Sequence, residues 1–377
     1  MSKWLGKYII GLTGNIATGK SVVRKMLEHL GAYSIDADML SHRAIARGAP
    51  GHQLVLDTFG KWVLDSNGEI DRAKLGRLVF NDPEALGQLE AIVHPLVEQA
   101  VSLMVERASQ RVIVIEAIKL LEGKLAKACD KIWVVTAPEK LQMFRLLKKR
   151  NMSEQEALQR IHAQPSQESK IAAANLVIQN GGSFEETWKQ VVAGWKAIPA
   201  GPGAVQPAAQ KAVDGQLSVQ RGGPRDSNPI AAFVNRLSKG GHPLTQEDIM
   251  AEFGEKAFLL LMANKQIVGL AGLQVENLVA RTTELILEPA IPVDRALKLL
   301  VTEVENASQD LQCEASLFFL TPSLARHEPV WKDLGYGRRT PQTLGIQAWQ
   351  DAAIESQPPN TILLFKQLRQ DRVLRPI

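Results

Sequence analysis

The segment GNIATGKS, from Gly14 to Ser21, fits the pattern G-x-x-x-x-G-K-[ST]. Glycines in this pattern permit a tight loop whose backbone N–H groups face a polyphosphate, and the N-terminus of the following helix adds partial positive charge. Lys20 can then reach the outer phosphates of a nucleotide, and Ser21 can ligate Mg²⁺. The residues expected to contact the nucleotide in this loop are Asn15, Ile16, Ala17, Thr18, Gly19, Lys20, Ser21 and Val22.

Two carboxylates, Asp36 and Asp38, follow the next apolar run of the chain. In a strand, residues two apart project to the same side, so we expect both side chains to face the crevice at the carboxyl end of the sheet. One carboxylate could hold Mg²⁺ while the other accepts the proton of an acceptor hydroxyl. The residues alone leave open which does which, and whether one of them instead caps a helix that begins near Met39.

The elements that must position these residues are short apolar runs that alternate with longer amphipathic ones. Short buried runs bounded by helical patterns predict a parallel, doubly wound sheet with right-handed crossovers, an α/β fold of the P-loop kinase type with five strands. The runs expected to form the strands are 8–12, 33–35, 112–115, 132–135 and 176–178.

A chain of 377 residues is longer than one compact core usually holds, so two domains are expected. The segment 199–215 is rich in Ala, Pro and Gly and predicts a linker with few contacts across it. Residues 1–198 then form the first domain. In residues 216–377, strand-like runs around Asn264-Lys265-Gln266 predict a hairpin, and the second domain is expected to be α+β.

Composition limits the class of protein. The hydrophobic share is 45%, the charged share is 22% and the formal net charge is +4, which predicts a folded chain without the dense basic face of a dedicated nucleic-acid binder. No apolar window is long enough to span a membrane, and a secretory signal is not expected. The two cysteines, Cys129 and Cys313, are far apart in sequence and favour a reducing cytoplasm over a disulfide framework.

The first 200 positions resemble the dephospho-coenzyme A kinase family over nearly their whole length. The motifs that carry the resemblance are GLTGNIATGKS at 11–21, IDAD at 35–38, GAPG at 48–51, the run IDRAKLGRLVFNDPEALGQLEAIVHPLV at 70–97, and VIQNGG at 177–182. Their order and spacing are far more specific than the phosphate loop alone.

The resemblance implies ATP-dependent phosphorylation of the ribose 3′-hydroxyl of dephospho-coenzyme A, giving coenzyme A and ADP. It makes Asp38 the base and Lys20 the ligand of the γ-phosphate. Asp36 is then the carboxylate expected to hold Mg²⁺ together with Ser21 of the phosphate loop. Asn180 is then a neighbour of the adenine, and His94 contacts the acceptor. Arg145 and Arg150 belong to a mobile lid and are expected to be catalytic, because a lid cation that reaches the transferring phosphoryl group stabilises its charge. Without the resemblance, His94-Pro95 would be interpreted as a helix end before a proline.

Several positions depart from the family pattern, among them Val22, which stands where the family has threonine. Asn15 and Ala17 stand where the family usually has glycine, Ile118 stands where it has proline, and Gln167 stands at the place of a lid-side arginine. If either former glycine position requires a positive φ, Asn tolerates it better than Ala. Loop geometry at Ala17, acceptor affinity and lid closure are therefore expected to differ from the family.

The second domain resembles GNAT-type N-acetyltransferases in the order of its strands and in the motif VWKDLGY at 330–336. Active members bind the pyrophosphate of acyl-coenzyme A on backbone amides of a glycine-rich loop after the central strand. At the corresponding place, 288–294, this chain has EPAIPVD, in which two prolines lack N–H donors and two acids repel phosphate. We expect a degenerate acetyltransferase-like domain of structural, dimerisation or sensing role.

Two alternatives stay open at the level of sequence. The chain could be bifunctional, with coenzyme A made by one domain and used by the other, although the loop at 288–294 argues against it. It could also be a nucleotide-gated switch, although a switch does not need the proton acceptor that Asp38 beside Asp36 supplies. Dephospho-coenzyme A is the expected small-molecule partner, no nucleic-acid or membrane partner is expected, and the sequence does not determine the oligomeric state.

Overall fold

The computed structural model describes residues 3–150, 152–164, 166–199, 217–238 and 243–370, except for the side chains of Phe80, Lys149 and Arg150. The strands are β1 (Tyr8–Thr13), β2 (Tyr33–Asp36), β3 (Val112–Glu116), β4 (Lys131–Thr136), β5 (Leu176–Gln179), β6 (Ser218–Arg221), β7 (Ala257–Ala263), β8 (Gln266–Glu276), β9 (Val279–Leu287), β10 (Ala315–Leu320), β11 (Gly337–Arg338) and β12 (Ile362–Gln367). The helices are α1 (Lys20–His29), α2 (Ala37–Ala44), α3 (Pro50–Phe59), α4 (Arg72–Asn81), α5 (Pro83–Arg107), α6 (Glu139–Arg150), α7 (Glu154–His162), α8 (Gln167–Ala172), α9 (Phe184–Lys196), α10 (Ser227–Leu237), α11 (Gln246–Glu252), α12 (Val293–Asp310), α13 (Pro322–Ala325), α14 (Glu328–Asp333) and α15 (Gln347–Ser356). None of the helices in the described residues combines the length and the apolar composition that a membrane span requires.

The first sheet has the strand order β2-β3-β1-β4-β5, and every neighbouring pair is parallel. All five residues of β3 are buried, as expected for a central strand covered by helices on both faces. The predicted five-stranded α/β fold is therefore confirmed. Because the strands are parallel, the ends of β1, β2 and β3 bring the phosphate loop and the acidic residues to one edge of the sheet.

Helix α5 continues through Pro95, so the interpretation of His94 as a helix end is wrong. A proline inside a helix removes one backbone hydrogen bond and favours a kink. Here the helix keeps one buried face on both sides of the proline, including Val93, Val97 and Val101. Burial of that face outweighs the local preference of the proline.

The second sheet has the order β11-β12-β10-β9-β8-β7-β6 and is mixed, because β9 and β10 are parallel and the other pairs are antiparallel. The predicted hairpin is present as β7 and β8. Asn264 and Lys265 form its two-residue turn with φ values of 48° and 63°, while Gln266 already belongs to β8. Helix α12 makes the crossover from β9 to β10, which gives the expected α+β domain.

The predicted linker lies almost wholly in 200–216, outside the described residues. The expectation of few contacts between the domains is wrong. The Arg43 guanidinium pairs with Glu314 at 2.6 Å, and the Gln312 side-chain amide donates to the Met104 carbonyl at 2.9 Å. These contacts join helices of the first domain to segments distant in sequence, so the composition of the linker does not encode them.

Candidate phosphoryl-transfer site

The loop from Gly14 to Ser21 lies between β1 and α1, as the sequence pattern predicts. The Thr18 hydroxyl donates to the Asn15 carbonyl at 2.9 Å, and Lys20 Nζ donates to the same carbonyl at 3.3 Å. Lys20 is the first residue of α1 and is buried. Its ammonium therefore lies within the concave side of the loop, where a phosphate would meet it.

Ala17 has a φ of 58°, in the left-handed region. A side chain in this region costs about 1–2 kcal/mol relative to the right-handed one. Asn15, the other residue at a glycine position of the family, does not have a positive φ. The strain therefore falls on the alanine rather than on the asparagine. The Ala17 carbonyl accepts from Arg145 Nη1 at 3.0 Å, a contact that holds the strained turn.

Asn180 follows β5 and contacts the other side of the loop. Its amide donates to the Thr18 carbonyl at 2.8 Å and accepts from the Thr187 hydroxyl at 3.1 Å. A Cβ placed at Gly19 would lie 2.0 Å from Asn180 Nδ2, and Gly19 has a φ of 91°. Glycine is thus required at position 19 for its backbone conformation and for this close approach. Arg145 Nη2 also donates to the Asn180 carbonyl at 3.0 Å, so it joins both segments.

Asp36 and Asp38 lie close together, but the expectation that both belong to one strand is wrong. Strand β2 ends at Asp36, whose carboxylate accepts from the Met39 N–H at 2.9 Å and caps α2. Asp38 lies in the first turn of that helix, and its Oδ2 accepts from the Ile118 N–H at 3.0 Å. Asp36 is therefore the residue that caps the helix, a role that the sequence left open between the two acids. Because Asp38 lies in the first turn of α2, its carboxylate reaches Ile118, just after β3.

Burial raises the pKa of Asp38, and the charge of Asp36 raises it further, while the hydrogen bond from Ile118 opposes both. A carboxylate with a raised pKa is a stronger base than an exposed aspartate.

Glu116 is a residue of this site that the sequence reasoning missed. It is the last residue of β3 and is 7% exposed. Its carboxylate pairs with the Arg24 guanidinium at 2.7 Å. Burial raises the pKa of Glu116, and Arg24 opposes that shift. The sequence offered a signal for Glu116, because it directly follows the four apolar residues of β3, the strand beside β1. In P-loop enzymes, a carboxylate at the end of such a strand helps to hold Mg²⁺.

Lys170, in α8, is a second missed residue. It is 4% exposed, and its Nζ donates to the Ile118 carbonyl at 3.0 Å. Burial lowers the pKa of Lys170, and the positive charge of Lys20 lowers it further. The two ammonium groups thus lie near enough to each other to interact electrostatically. No local pattern in the sequence distinguishes Lys170 from other helix lysines.

Residues 8–186 match the family model described as dephospho-CoA kinase. The dephospho-CoA kinase of Carboxydothermus hydrogenoformans is 43% identical over 187 residues, which cover 49% of this chain and 91% of that protein. The chain belongs to the dephospho-CoA kinase family. The dephospho-CoA kinase of Bacillus licheniformis is 42% identical over 186 residues, covering 48% of this chain and 92% of that one.

The remaining residues expected from the family resemblance lie at several places in the kinase domain. His94 is exposed on α5, and Ser21 is exposed in the first turn of α1. Arg150 ends α6, but its side chain is outside the described part of the structure. Gln164, at the end of the lid segment, accepts from the Ile16 N–H of the phosphate loop at 2.7 Å.

Oxygen ligands for Mg²⁺ are present around the loop, although the described residues contain no cluster of three or more His, Cys, Asp or Glu side chains. Mg²⁺ is usually held by one or two protein carboxylates together with water and phosphate oxygens. The Ser21 hydroxyl and the Asp36 carboxylate fit that small protein share. The cap of α2 uses Asp36 Oδ1, so Asp36 Oδ2 is the oxygen that would face the ion.

Beyond the kinase domain, the second half of the chain is similar to an acetyltransferase of the GNAT family from Streptococcus pneumoniae. That likeness covers 40% of this chain and 99% of the other, with 15% identity and a TM-score of 0.31. The loop 288–292 lies between β9 and α12. Pro289 and Pro292 have no N–H, the Glu288 N–H donates to the Val268 carbonyl, and the Ile291 N–H donates to the Glu288 carbonyl. Most backbone donors of this loop are thus absent or engaged within the fold.

Proposed function

We propose that this chain transfers the γ-phosphoryl group of ATP to the ribose 3′-hydroxyl of dephospho-coenzyme A, with coenzyme A and ADP as products. The observation that carries the proposal is that Asp38 and Lys170 both bind the backbone of one residue, Ile118. The N–H of Ile118 holds Asp38 and its carbonyl holds Lys170. A proton acceptor and a phosphate-neutralising cation therefore meet at the edge of the sheet that carries the phosphate loop.

Asp38 accepts the proton of the acceptor hydroxyl in this proposal. Its raised pKa favours that role, since a more basic carboxylate takes the proton more readily as the oxygen attacks. The Ile118 N–H holds one carboxylate oxygen, and we propose that the other faces the hydroxyl. The step forms the bond between the 3′-oxygen and phosphorus, breaks the bond to the β–γ bridging oxygen, and leaves the negative charge on ADP.

Lys20 and Lys170 neutralise the phosphoryl group during transfer. Fixed cations aimed at a site of developing charge are among the largest contributions to catalysis, because they need no reorganisation at the moment of reaction. Burial lowers the pKa of Lys170, and the nearby positive charge of Lys20 lowers it further, so the two ammonium groups repel each other. A phosphate between them relieves that repulsion, so its binding is favoured.

Ser21 and Asp36 would hold Mg²⁺ together with the phosphate oxygens, and Glu116 lies near enough to act on Asp36 electrostatically. When bound, the ion would neutralise charge on the β- and γ-phosphates. The chain itself contributes the oxygen ligands.

The lid residues are proposed to act on closure. Arg145 lies beside the phosphate loop and Asn180, where it can order the nucleotide. Arg150 and His94 are proposed to contact the phosphoryl group and the acceptor, respectively. Closure would exclude water, which otherwise diverts ATP to hydrolysis.

The second domain is proposed not to transfer acetyl groups. Its loop at 288–292 offers few free amide donors for a pyrophosphate, and Glu288 places a carboxylate at the same point. The Glu288 carboxylate pairs with Arg236 at 2.6 Å, and Asp294, in the first turn of α12, pairs with His327 at 2.7 Å. Both acids are thus parts of the fold.

ADP release from ATP, measured with and without dephospho-coenzyme A, tests this proposal. We expect release that depends on the acceptor, together with formation of coenzyme A detected by mass spectrometry. ATP hydrolysis that dephospho-coenzyme A does not accelerate would favour a nucleotide-gated switch and contradict the proposal.

A further inference from the structure

The turn between β8 and β9 reaches from the second domain into the kinase domain. Its two residues, Asn277 and Leu278, have φ values of 52° and 58°. Such turns usually carry glycine or asparagine, and a leucine in this conformation is strained. Leu278 is nevertheless 9% exposed and packs within the core cluster that contains Leu40 and Met104 of the kinase domain. The strained backbone of Leu278 thus lies at the point where its side chain, from the second domain, packs into the kinase domain.

The same turn contributes to a clamp on Arg43, which we define as the contacts of its guanidinium with Glu314 and Asn277. Nη2 pairs with the Glu314 carboxylate at 2.6 Å, and Nη1 donates to the Asn277 carbonyl at 3.2 Å. Arg43 is 9% exposed and Glu314 is 1% exposed. The Glu314 N–H also donates to the Leu278 carbonyl at 2.7 Å, so the acceptors are held in one rigid frame.

Arg43 lies in the last turn of α2, the helix whose first turn carries Asp38. Five residues along a helix correspond to about 7.5 Å, so a displacement at one end moves the other. A cavity beside the turn is lined by Asp36, Met39 and Asn277, among others. The helix is joined to the second domain by the Arg43 clamp at its C-terminal end and by Leu278, which packs in the cluster that contains Leu40.

We propose that the second domain positions the proton-accepting Asp38 through the Arg43 clamp on α2. Arg43 and Glu314 are then positioning residues for the kinase reaction, and the second domain completes the kinase site although it contributes no group that touches the substrates. This inference rests on the proposed function, because it concerns the base of that reaction. The phosphate loop stands on β1 and α1, outside the clamp, so the contacts of the loop with ATP do not depend on it.

The test uses the full chain with Arg43→Met, Glu314→Gln and the double variant. Gln312→Asn is the matched control, since Gln312 joins the domains two residues from Glu314 but contacts the end of α5 at Met104. Asparagine is suited to the φ of 56° at this position, and its shorter side chain removes the contact. The readouts are kcat, the KM values for both substrates, the melting temperature, and hydrogen–deuterium exchange of α2 amides.

We expect each clamp variant to lower kcat by about tenfold, because small misplacements of reacting groups have effects of this size or larger. The KM for ATP should change by less than about twofold, since the phosphate loop lies outside the clamp. The double variant should be no slower than the slower single variant, because both substitutions abolish the same ion pair. Exchange should rise in α2, while Gln312→Asn should lower only the melting temperature.

Wild-type kcat and wild-type exchange in folded Arg43→Met and Glu314→Gln would overturn the proposal. An equal loss of kcat in Gln312→Asn would also overturn it, because docking in general and not the clamp would then matter. If Arg43→Met does not fold, Glu314→Gln still decides, since it keeps the size of the side chain. A wild-type chain that does not phosphorylate dephospho-coenzyme A would contradict the proposed function, and exchange in α2 would report on the clamp separately.

Discussion

The Ile118 N–H donates to Asp38 Oδ2 at 3.0 Å, and this hydrogen bond exists because Ile118 is not a proline. The dephospho-CoA kinase family usually has a proline at this position, and proline has no N–H to donate. The departure therefore adds a fixed donor to the proposed base. The Ile118 carbonyl also accepts from Thr13 Oγ1 at 3.1 Å, which ties the segment to the end of β1.

Asp38→Asn should lower kcat at least about a hundredfold, because it removes the proton acceptor and keeps the shape of the side chain. The KM for ATP should change little, since Asp38 is not a phosphate ligand in this proposal. Steady-state kinetics with both substrates measure the two effects. Asp36→Asn is the matched variant and should mainly raise the Mg²⁺ concentration needed for half-maximal rate. A loss of ATP affinity in Asp38→Asn at normal kcat would make Asp38 a metal or structural residue.

Lys170→Met should lower kcat by about a hundredfold, because a buried cation beside the phosphoryl group would be lost. Methionine keeps most of the apolar stem of Lys170, so the fold should be retained. Rapid-quench measurement of the phosphoryl-transfer step isolates the effect from product release. Lys189→Met is the control, since Lys189 is exposed on α9 and pairs only with Glu185 at the surface among its described contacts. Normal phosphoryl transfer in Lys170→Met would show that Lys170 is only a structural tie to Ile118.

Gly19→Ala should abolish ATP binding, because its Cβ would lie 2.0 Å from Asn180 Nδ2 in a backbone with a φ of 91°. Gly31→Ala separates the two causes. Gly31 has a φ of 101°, but no described atom outside its immediate neighbours lies within 4 Å of the point that a Cβ would occupy. Gly31→Ala should therefore cost only about 1–2 kcal/mol of stability. Calorimetric titration with ATP compares the two variants, and equal affinities would contradict the close approach of Asn180.

His29 should make stability depend on pH. Its Nε2 contacts the Phe253 carbonyl of the second domain at 2.8 Å, and burial lowers its pKa to about 4. The unfolded chain, with a pKa of about 6.5, then binds this proton at higher pH than the folded chain. The stabilisation is therefore present above about pH 6.5 and is lost as the pH falls towards 4, by at most about 3 kcal/mol.

Urea unfolding at pH 7.5 and pH 5.0 measures this effect. His29→Gln keeps a donor for the Phe253 carbonyl and should lose part of the dependence. We expect His42 to account for the pH dependence of stability that remains in this variant, because burial also lowers the pKa of His42 to about 4. An unchanged dependence in His29→Gln would show that His29 does not contribute.

The second domain should release no thiol from acetyl-coenzyme A in the presence of amine acceptors. The reason is the loop 288–292, in which two prolines lack N–H groups and two other amides are engaged. A thiol-release assay on the full chain measures the rate, and calorimetry measures binding separately. Robust thiol release that depends on an amine would establish the bifunctional alternative.

The sequence by itself determined the phosphate loop, the five-stranded parallel sheet and the second α+β domain. These follow from local patterns: glycine spacing for the loop, short apolar runs for the buried strands, and turn residues such as Asn264 for the hairpin. The family motifs also determined Asp38 as the proposed base. Such features depend on residues close together in the chain, so they can be recognised in the sequence before the fold is known.

Only the tertiary structure decided which distant residues join the site. Lys170 meets Ile118 across 52 residues, and Arg43 meets Glu314 across 271. Neither lysine nor arginine at these places differs in its local pattern from a solvated surface residue. Packing also decided against local preferences, because α5 continues through Pro95 and Ala17 accepts a positive φ. In each case the free energy of contacts made across the fold exceeds a local conformational cost, and that balance cannot be read from neighbouring residues alone.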